Sequence, residues 1–182
     1  MKNKNIIGID ISDFSIEAVI LGKRKGNFEI LSYSRYRLSP DIVENGKILN
    51  KKRLKEDLNK LFKLAKLKKM NSKKVFISVP ESKIFSRIIF LPKNIKYSKL
   101  AEVGKLKAEE YIPEIKENLI SAVKILPESK NYKEIFYSAV KSEIINDFID
   151  VFKSMNIQVV GATMESISSF TGLEDSLKKK TT

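Results

Sequence analysis

The segment that most restricts the fold lies near the start of the chain, where two apolar runs flank a short polar turn. It reads GIDISDFSIEAVIL over residues 8–21, with Asp10 before the turn and Ser12 and Ser15 within it. Apolar runs of this length bounded by polar turn residues are typical of two β-strands joined as a hairpin. The turn is either a loop that holds a phosphate or an ordinary hairpin tip.

Extended and helical segments follow this hairpin in a regular order. Leu54, Leu58, Leu61 and Ala65 recur at helical spacing, which predicts an amphipathic helix. Proline is expected to end two strands and one helix. It cannot donate a hydrogen bond within a central strand, and it disfavours helical geometry in the residue before it. The predicted strands cover residues 5–11, 14–22, 27–38, 73–80, 83–92, 118–126, 132–141 and 157–164, and the predicted helices cover 51–69, 97–111 and 143–155.

Three finer expectations concern turns and ends. Residues 22–26 are expected to form the turn between the second and third strands, since both end residues are glycine. Ser142 is a plausible N-cap for the third helix. The last residues, 176–182, are polar and are expected to be a disordered tail.

The chain contains neither cysteine nor histidine, which excludes several kinds of site. Disulfides, thiolate metal sites, cysteine nucleophiles, histidine bases and histidine zinc ligands are all ruled out. Any chemistry must use carboxylates, lysines, hydroxyls or backbone groups. No apolar run approaches the roughly 18 residues that span a bilayer, and the N-terminus lacks a signal-peptide layout, so we expect a cytoplasmic protein.

The net charge of +13 favours an anionic partner such as nucleic acid, a membrane face or an acidic protein, although a biased genome composition would also produce it. Residues 51–74 hold eleven basic and two acidic residues. This segment could rest on anionic lipid or could simply be a solvated helix face. Nucleic acid is disfavoured, because the aromatic residues needed for base stacking are not interleaved with the lysines.

Five motifs occur in order along the chain. They read GIDISDFSIEAVIL (8–21), VENGKIL (43–49), SVPESKIFSRIIFLP (78–92), AEEYIP (108–113) and NIQVVGATMES (156–166). In this order they resemble the phosphate-loop hairpin, the approach to the first helix, a strand–proline–strand unit, an acidic helix end and a returning strand of the PilM family. That family of type IV pilus assembly proteins lies within the actin-like ATPase superfamily, with FtsA as a more distant relative.

The resemblance implies an α/β, actin-like (ribonuclease H-like) fold. Residues 1–80 and 156–175 would form subdomain 1A, and residues 81–155 would form an inserted α+β subdomain 1C. It also implies that this chain corresponds to the first of two lobes. The second phosphate loop and the adenosine pocket of such proteins have no counterpart here, so the chain alone is not expected to be an enzyme.

The same resemblance implies a nucleotide site at the first hairpin. Asp10, Ser12, Asp13, Phe14 and Ser15 are the expected contacts for ATP, with Asp10 also orienting Mg²⁺. The sequence departs from the family pattern, since Asp13 replaces a hydroxyl residue and Glu17 replaces a lysine. Each change adds negative charge where phosphates would lie, at about 1–4 kcal/mol per carboxylate near a phosphate. Any nucleotide contact is therefore expected to be weak or vestigial.

The resemblance also implies a partner site, because in PilM-like proteins the groove between subdomains 1A and 1C receives the short N-terminal cytoplasmic peptide of the membrane protein PilN. The motifs SRIIFLP and AEEYIP would lie in the 1C region. The candidate contacts are Arg87, Ile89, Leu91 and Tyr111, because exposed apolar residues flanked by charge suit peptide capture. Core packing is the alternative for all four. Glu109 and Glu110 are interpreted as solvated rather than as an acid–base pair, because adjacent helical residues point about 100° apart.

Three functions remain open at this point. The first is a scaffold at the cytoplasmic face of the inner membrane that serves a type IV pilus or type II secretion system. The second is the first lobe of an actin-like ATPase that needs another lobe, or self-association, to complete its site. The third is a basic protein that binds anionic lipid or nucleic acid.

Overall fold

The computed structural model describes residues 5–25, 27–112, 118–127, 129 and 131–178, and these residues form two compact units. The first unit comprises the described parts of Met1–Ser82 and Asn146–Thr182, and the second comprises those of Lys83–Ile145. None of the described helices is long and apolar enough to cross a membrane. The assignment of residues 1–80 and 156–175 to subdomain 1A, and of 81–155 to 1C, stays a prediction.

The described residues include ten strands and four α-helices. The strands are β1 (Ile7–Ile11), β2 (Ser15–Arg24), β3 (Asn27–Arg37), β4 (Val43–Glu44), β5 (Lys47–Ile48), β6 (Lys74–Val79), β7 (Ile84–Leu91), β8 (Leu119–Ile125), β9 (Lys133–Lys141) and β10 (Gln158–Met164). The helices are α1 (Lys51–Lys63), α2 (Leu100–Glu109), α3 (Ser142–Ser154) and α4 (Glu165–Lys178).

The first unit is built on a five-stranded sheet of order β10-β6-β1-β2-β3. The strands β1, β2 and β3 form an antiparallel meander, while β6 and β10 run parallel to β1. Successive residues of a strand point to opposite faces, so the two faces differ in character. Ile7, Ile9 and Ile11 are buried on one face, which leaves Gly8 and Asp10 on the other.

Helix α1 covers the isoleucine face of the meander. Its buried residues are Leu54, Leu58 and Leu61, together with Asp57, and the buried hydroxyl of Ser34 in β3 donates to the Leu61 carbonyl at 2.7 Å. The side chain of Asn50 caps the helix by accepting from the Arg53 N–H at 3.0 Å. The leucine stripe seen in the sequence therefore forms the packed side of the helix.

Several predicted boundaries are wrong. Helix α1 ends at Lys63 rather than at residue 69, because Lys66 leaves the helix to donate its N–H to the Tyr33 carbonyl at 2.9 Å. Gly22 lies inside β2 rather than in a turn, and Ser142 is the first residue of α3 rather than its cap. Of the expected disordered tail, residues 176–178 belong to α4.

Some predictions fall on positions that lie outside the described residues. These are Gly26 in the β2–β3 turn, Pro113 at the end of the AEEYIP motif, and residues 179–182 of the tail.

The second unit is a three-stranded antiparallel sheet of order β7-β9-β8, with α2 packed on one face. Its buried core is Ile89, Leu91, Leu100, Ala108, Ile112, Ile135, Tyr137 and Ala139. Gly104 allows α2 to approach β9 closely, because a β-carbon at this position would lie 2.3 Å from Cδ1 of Ile135.

Candidate functional site

The tip of the β1–β2 hairpin closes on itself through hydrogen bonds. The N–H of Ser12 donates to the Ser15 carbonyl at 2.9 Å, and the N–H groups of Ser15 and Phe14 donate to Oγ of Ser12 at 3.1 and 3.4 Å. Oγ of Ser12 also donates to the Ser15 carbonyl at 3.1 Å. The N–H groups of Ser12, Phe14 and Ser15 and the hydroxyl of Ser12 are thus already paired within the turn.

Asp13 ties the hairpin tip to the neighbouring β4–β5 hairpin. Its two carboxylate oxygens accept hydrogen bonds from the N–H groups of Asn45 (2.8 Å) and Gly46 (3.0 Å). Both of these residues have positive φ, 49° and 70°, as the central pair of a two-residue type I′ hairpin requires. Asp13 therefore serves as a structural acceptor that fixes one turn against another.

A row of polar side chains crosses four neighbouring strands on the face opposite α1. Asp10 lies directly across from Glu17, and Glu17 lies across from Arg35. Like charges at such positions repel, but the Arg35 guanidinium reaches the Glu17 carboxylate at 2.8 Å and the Ser78 hydroxyl donates to Asp10. The hydroxyl of Ser15 also donates to Glu17, at 2.8 Å. The negative charge expected from Glu17 is thus partly balanced by an arginine on the next strand.

A cavity of about 190 Å³ opens on this face of the sheet. Asp10, Glu17 and Ser78 contribute its polar wall, Val19 and Phe76 contribute apolar surface, and Ser168 of α4 closes one side. The cavity is small for a nucleotide, since pockets for drug-sized ligands usually measure about 300–1,000 Å³.

Two further carboxylates stand where α4 begins. Glu81 accepts a hydrogen bond from the Ser166 N–H at 2.6 Å, and this contact lowers the pKa of Glu81. Partial burial raises the pKa of Glu165, and the nearby carboxylates of Asp10, Glu81 and Glu17 raise it further. The surroundings of this cavity are therefore acidic, and they favour protonation of Glu165.

This arrangement fits a phosphate group poorly, because the carboxylates of Asp10 and Glu17 line the cavity and the N–H groups of Ser12, Phe14 and Ser15 are bonded within the hairpin tip. Within the described ranges, no group of three or more acidic side chains is placed to hold a metal ion. Contacts of Asp10, Ser12, Asp13, Phe14 and Ser15 with ATP, and of Asp10 with Mg²⁺, stay predictions that the geometry does not favour.

A second candidate site lies in the second unit, where Arg87 of β7 stacks on Tyr111. The guanidinium carbon lies 4.0 Å from the centroid of the tyrosine ring, and both residues are exposed, Tyr111 at 46%. Cation–π contacts of this kind hold both side chains in a defined geometry. The pair presents a planar cluster of N–H donors beside an aromatic surface.

The other two predicted partner contacts face inward. Ile89 and Leu91 are 3% and 1% exposed and belong to the core beneath α2. Their side chains pack in the core, which is the alternative that the sequence left open. Arg87 and Tyr111 are therefore the two of the four residues whose side chains can meet a partner.

Sequence reasoning missed Arg35, Ser78, Glu81 and Glu165, all of which lie at or near the acidic cavity. A signal existed for Arg35, because strand alternation and hairpin register place it across from Glu17. Glu81 and Glu165 are 84 residues apart in the sequence, and only the packing of α4 on β6 brings them together.

Comparisons with known proteins place this geometry in context. The family model described as type IV pilus assembly protein PilM matches residues 8–176. Among solved structures, a chain of the PilM-PilN type IV pilus biogenesis complex is similar with a TM-score of 0.80 at 15% identity, covering 94% of this chain and 51% of that chain.

A second similar structure is the cytoplasmic domain of EpsL, an inner membrane component of the type II secretion system of Vibrio cholerae. Its TM-score is 0.53 at 10% identity, covering 87% of this chain and 57% of that chain. The chain thus spans between half and three fifths of the length of these two structures. At such identities the likeness shows the fold alone, which is a mixed α/β fold with a central sheet like those of these two structures.

Proposed function

Since the chain belongs to the family of type IV pilus assembly proteins called PilM, we propose that it is an assembly scaffold that holds the short cytoplasmic peptide of a PilN-like membrane protein. The observation that carries this proposal is the family match, which extends over residues 8–176 and so includes both compact units. One similar structure is described as a PilM-PilN complex, which supports a PilN-like partner for this chain as well.

The Arg87–Tyr111 pair is the surface we assign to the peptide. A guanidinium offers five N–H donors in a planar fork, suited to a peptide carboxylate or to main-chain carbonyls, and a tyrosine ring offers apolar contact area. Because the two groups already stack at 4.0 Å, less side-chain freedom is lost when a peptide binds. Arginine and tyrosine are also among the residues enriched at energetically important positions in interfaces.

The proposal places the protein in the cytoplasm at the face of the inner membrane, where a PilN-like peptide would hold it. It assigns no catalytic role to the chain. Since the chain spans about half of the PilM-like chain it matches, a second actin-like lobe is a further proposed partner, and its recruitment would not require the acidic cavity to bind nucleotide.

Fluorescence anisotropy with a labelled peptide tests the proposal. The peptide would carry the cytoplasmic N-terminus of the PilN-like protein encoded in the same genome. Arg87→Ala should weaken its Kd about tenfold or more, because truncation removes both the guanidinium contacts and the stack. Arg87→Lys should also weaken binding, since an ammonium keeps the charge but not the planar fork.

The matched control is Arg24→Ala, which removes an exposed arginine from the first unit. It should leave the Kd unchanged, and circular dichroism should show that all variants are folded. The proposal fails if the parent protein does not bind the peptide. The assignment of the site fails if Arg87→Ala and Tyr111→Ala both bind as tightly as the parent.

A further inference from the structure

Two leucines project from the loop that follows α1. Leu64 and Leu67 are 56% and 73% exposed, within a segment spanning residues 63–69 that we call the leucine protrusion. Exposed leucines occur singly on many protein surfaces, so exposure alone has little meaning. Three further observations indicate that these two leucines form a binding surface: the backbone conformation of Leu67, the hydrogen bonds that hold the loop to the sheet, and the lysines nearby.

The backbone at Leu67 is held in a conformation that leucine rarely adopts. Its φ is 69°, and the N–H of Lys68 donates to the Lys66 carbonyl at 3.0 Å, so that Leu67 is the central residue of a γ-turn with positive φ. Such turns are strained for residues with a β-carbon, and glycine would avoid the strain. The chain nevertheless places a large apolar side chain at the tip of this turn.

The protrusion is fixed to the sheet at its base. The fully buried hydroxyl of Ser32 is placed to donate to the carbonyls of Lys66 (3.2 Å) and Lys68 (2.6 Å), and the Lys66 N–H donates to the Tyr33 carbonyl. These contacts join residues more than thirty positions apart in the chain. The two leucines are therefore displayed by an anchored turn.

All charged residues in the leucine protrusion and in the sequence around it are lysines. Between Asp57 and Glu81 the sequence has seven lysines and no acidic residue. Those within and after the protrusion are exposed: Lys63, Lys66, Lys68, Lys69, Lys73 and Lys74. Apolar side chains at a tip with lysines around them match the chemistry of an anionic lipid surface, whose apolar interior lies beneath phosphate groups.

We propose that the leucine protrusion is a peripheral binding site for an anionic phospholipid bilayer, in which Leu64 and Leu67 enter the headgroup region while the surrounding lysines contact lipid phosphates. This contact goes beyond the peptide contact proposed above and is made by a different unit of the protein. Nucleic acid fits the surface less well, because leucine does not stack on bases.

Vesicle co-sedimentation of the whole chain tests this inference. The probe is vesicles of phosphatidylglycerol and phosphatidylcholine in equal parts, compared with vesicles of phosphatidylcholine alone. Leu67→Gly should weaken partitioning onto the anionic vesicles roughly tenfold, because it removes an exposed leucine side chain that would be buried in the bilayer on binding. The Lys68→Gln/Lys69→Gln double variant should weaken it roughly 20-fold, and added salt should weaken the parent further.

Leu67→Gly has an advantage as a test variant, because glycine adopts positive φ without strain and the fold should be preserved. Its melting temperature should be no lower than that of the parent. The matched controls lie at the other end of α1, whose 13 residues correspond to about 20 Å. Leu49→Gly removes an exposed leucine there, and Lys47→Gln/Lys52→Gln makes the same change in net charge. Both should bind vesicles like the parent.

Three results would overturn the inference: no binding of the parent to anionic vesicles, equal binding by Leu67→Gly, or equal loss in the matched lysine control. A fourth contrary result would come from adding a 20-base-pair DNA duplex as a competitor for vesicle binding. If the parent binds DNA but not vesicles, and Leu67→Gly binds DNA equally well, the surface is a nucleic-acid site. Peptide affinity should be unchanged in Leu67→Gly, so failure here is distinguishable from failure of the peptide proposal.

Discussion

Two turns of the first unit contrast in how they use their side chains. In the hairpin tip at residues 12–15, the hydroxyls and Asp13 are engaged by the protein itself. In the leucine protrusion, the backbone groups are anchored to β3, while the side chains of Leu64 and Leu67 face solvent. The polar side chains of the hairpin tip are thus bonded within the protein, and only its Phe14 ring is exposed, whereas the leucine protrusion exposes two leucines with lysines around them.

The largest effect should come from Asp13, because it anchors the hairpin tip. Asp13→Ala removes the acceptors of two backbone N–H groups and should lower the free energy of unfolding by about 2 kcal/mol. Asp13→Asn, which keeps one acceptor oxygen, should lose about half as much. Urea denaturation followed by circular dichroism measures both. Equal stability of Asp13→Ala and the parent would show that the tip is not held by this residue.

Ser32 anchors the leucine protrusion, and Ser32→Ala should lower the free energy of unfolding by about 1 kcal/mol. Hydrogen exchange at the Lys68 amide should speed up, since its bond to the Lys66 carbonyl depends on the anchored turn. Ser34→Ala is the control, because that hydroxyl bonds to α1 instead. It should cost similar stability and leave the Lys68 amide unchanged. Equal exchange in both variants would mean that Ser32 does not shape the protrusion.

A smaller effect, dependent on pH, is expected at the edge of the acidic cavity. The Ser166 contact lowers the pKa of Glu81, so its stabilisation is present above the ordinary glutamate range and is lost as pH falls through and below it. Glu81→Gln should therefore cost about 0.5 kcal/mol at neutral pH, as for a charge at a helix N-terminus, and nothing in strong acid.

Replacement of Glu165 should change stability with pH in the opposite direction in the same experiment. Because its pKa is raised, its contribution to stability is present in acid and is lost as pH rises through the raised value. Glu165→Gln should therefore gain stability relative to the parent at neutral pH. Melting temperatures from about pH 3 to about pH 8 measure both variants. Parallel curves for the two variants would contradict the assigned shifts.

The smallest expected effect is the response to ATP and Mg²⁺. If the hairpin tip is internally satisfied, saturating ATP–Mg²⁺ should leave the melting temperature of the parent unchanged. A ligand at 100 times its Kd would instead stabilise the protein by about 2.7 kcal/mol. A clear increase in melting temperature that is absent in Asp10→Ala would show that the hairpin tip binds nucleotide, and the two turns would then both offer a binding site.

Sequence periodicity predicted the order of the main strands and helices correctly, because burial of one face imposes a local repeat on each element. The family expectation is confirmed by the match over residues 8–176. The helix α4 and the small β4–β5 hairpin were missed. Asn45 and Gly46 carried a readable turn signal, whereas the residues of α4 show only a weak helical pattern.

The sequence by itself determined the elements, the family and the distribution of charge, since these depend on residue type and near-neighbour spacing. Only the tertiary structure decided which of the polar groups are engaged within the protein. Asp13 finds its donors 32 and 33 positions away, and the Ser32 hydroxyl lies within hydrogen-bond distance of the Lys66 and Lys68 carbonyls on either side of Leu67. Such pairings depend on how distant segments pack, so the spacing of residues along the sequence does not predict them.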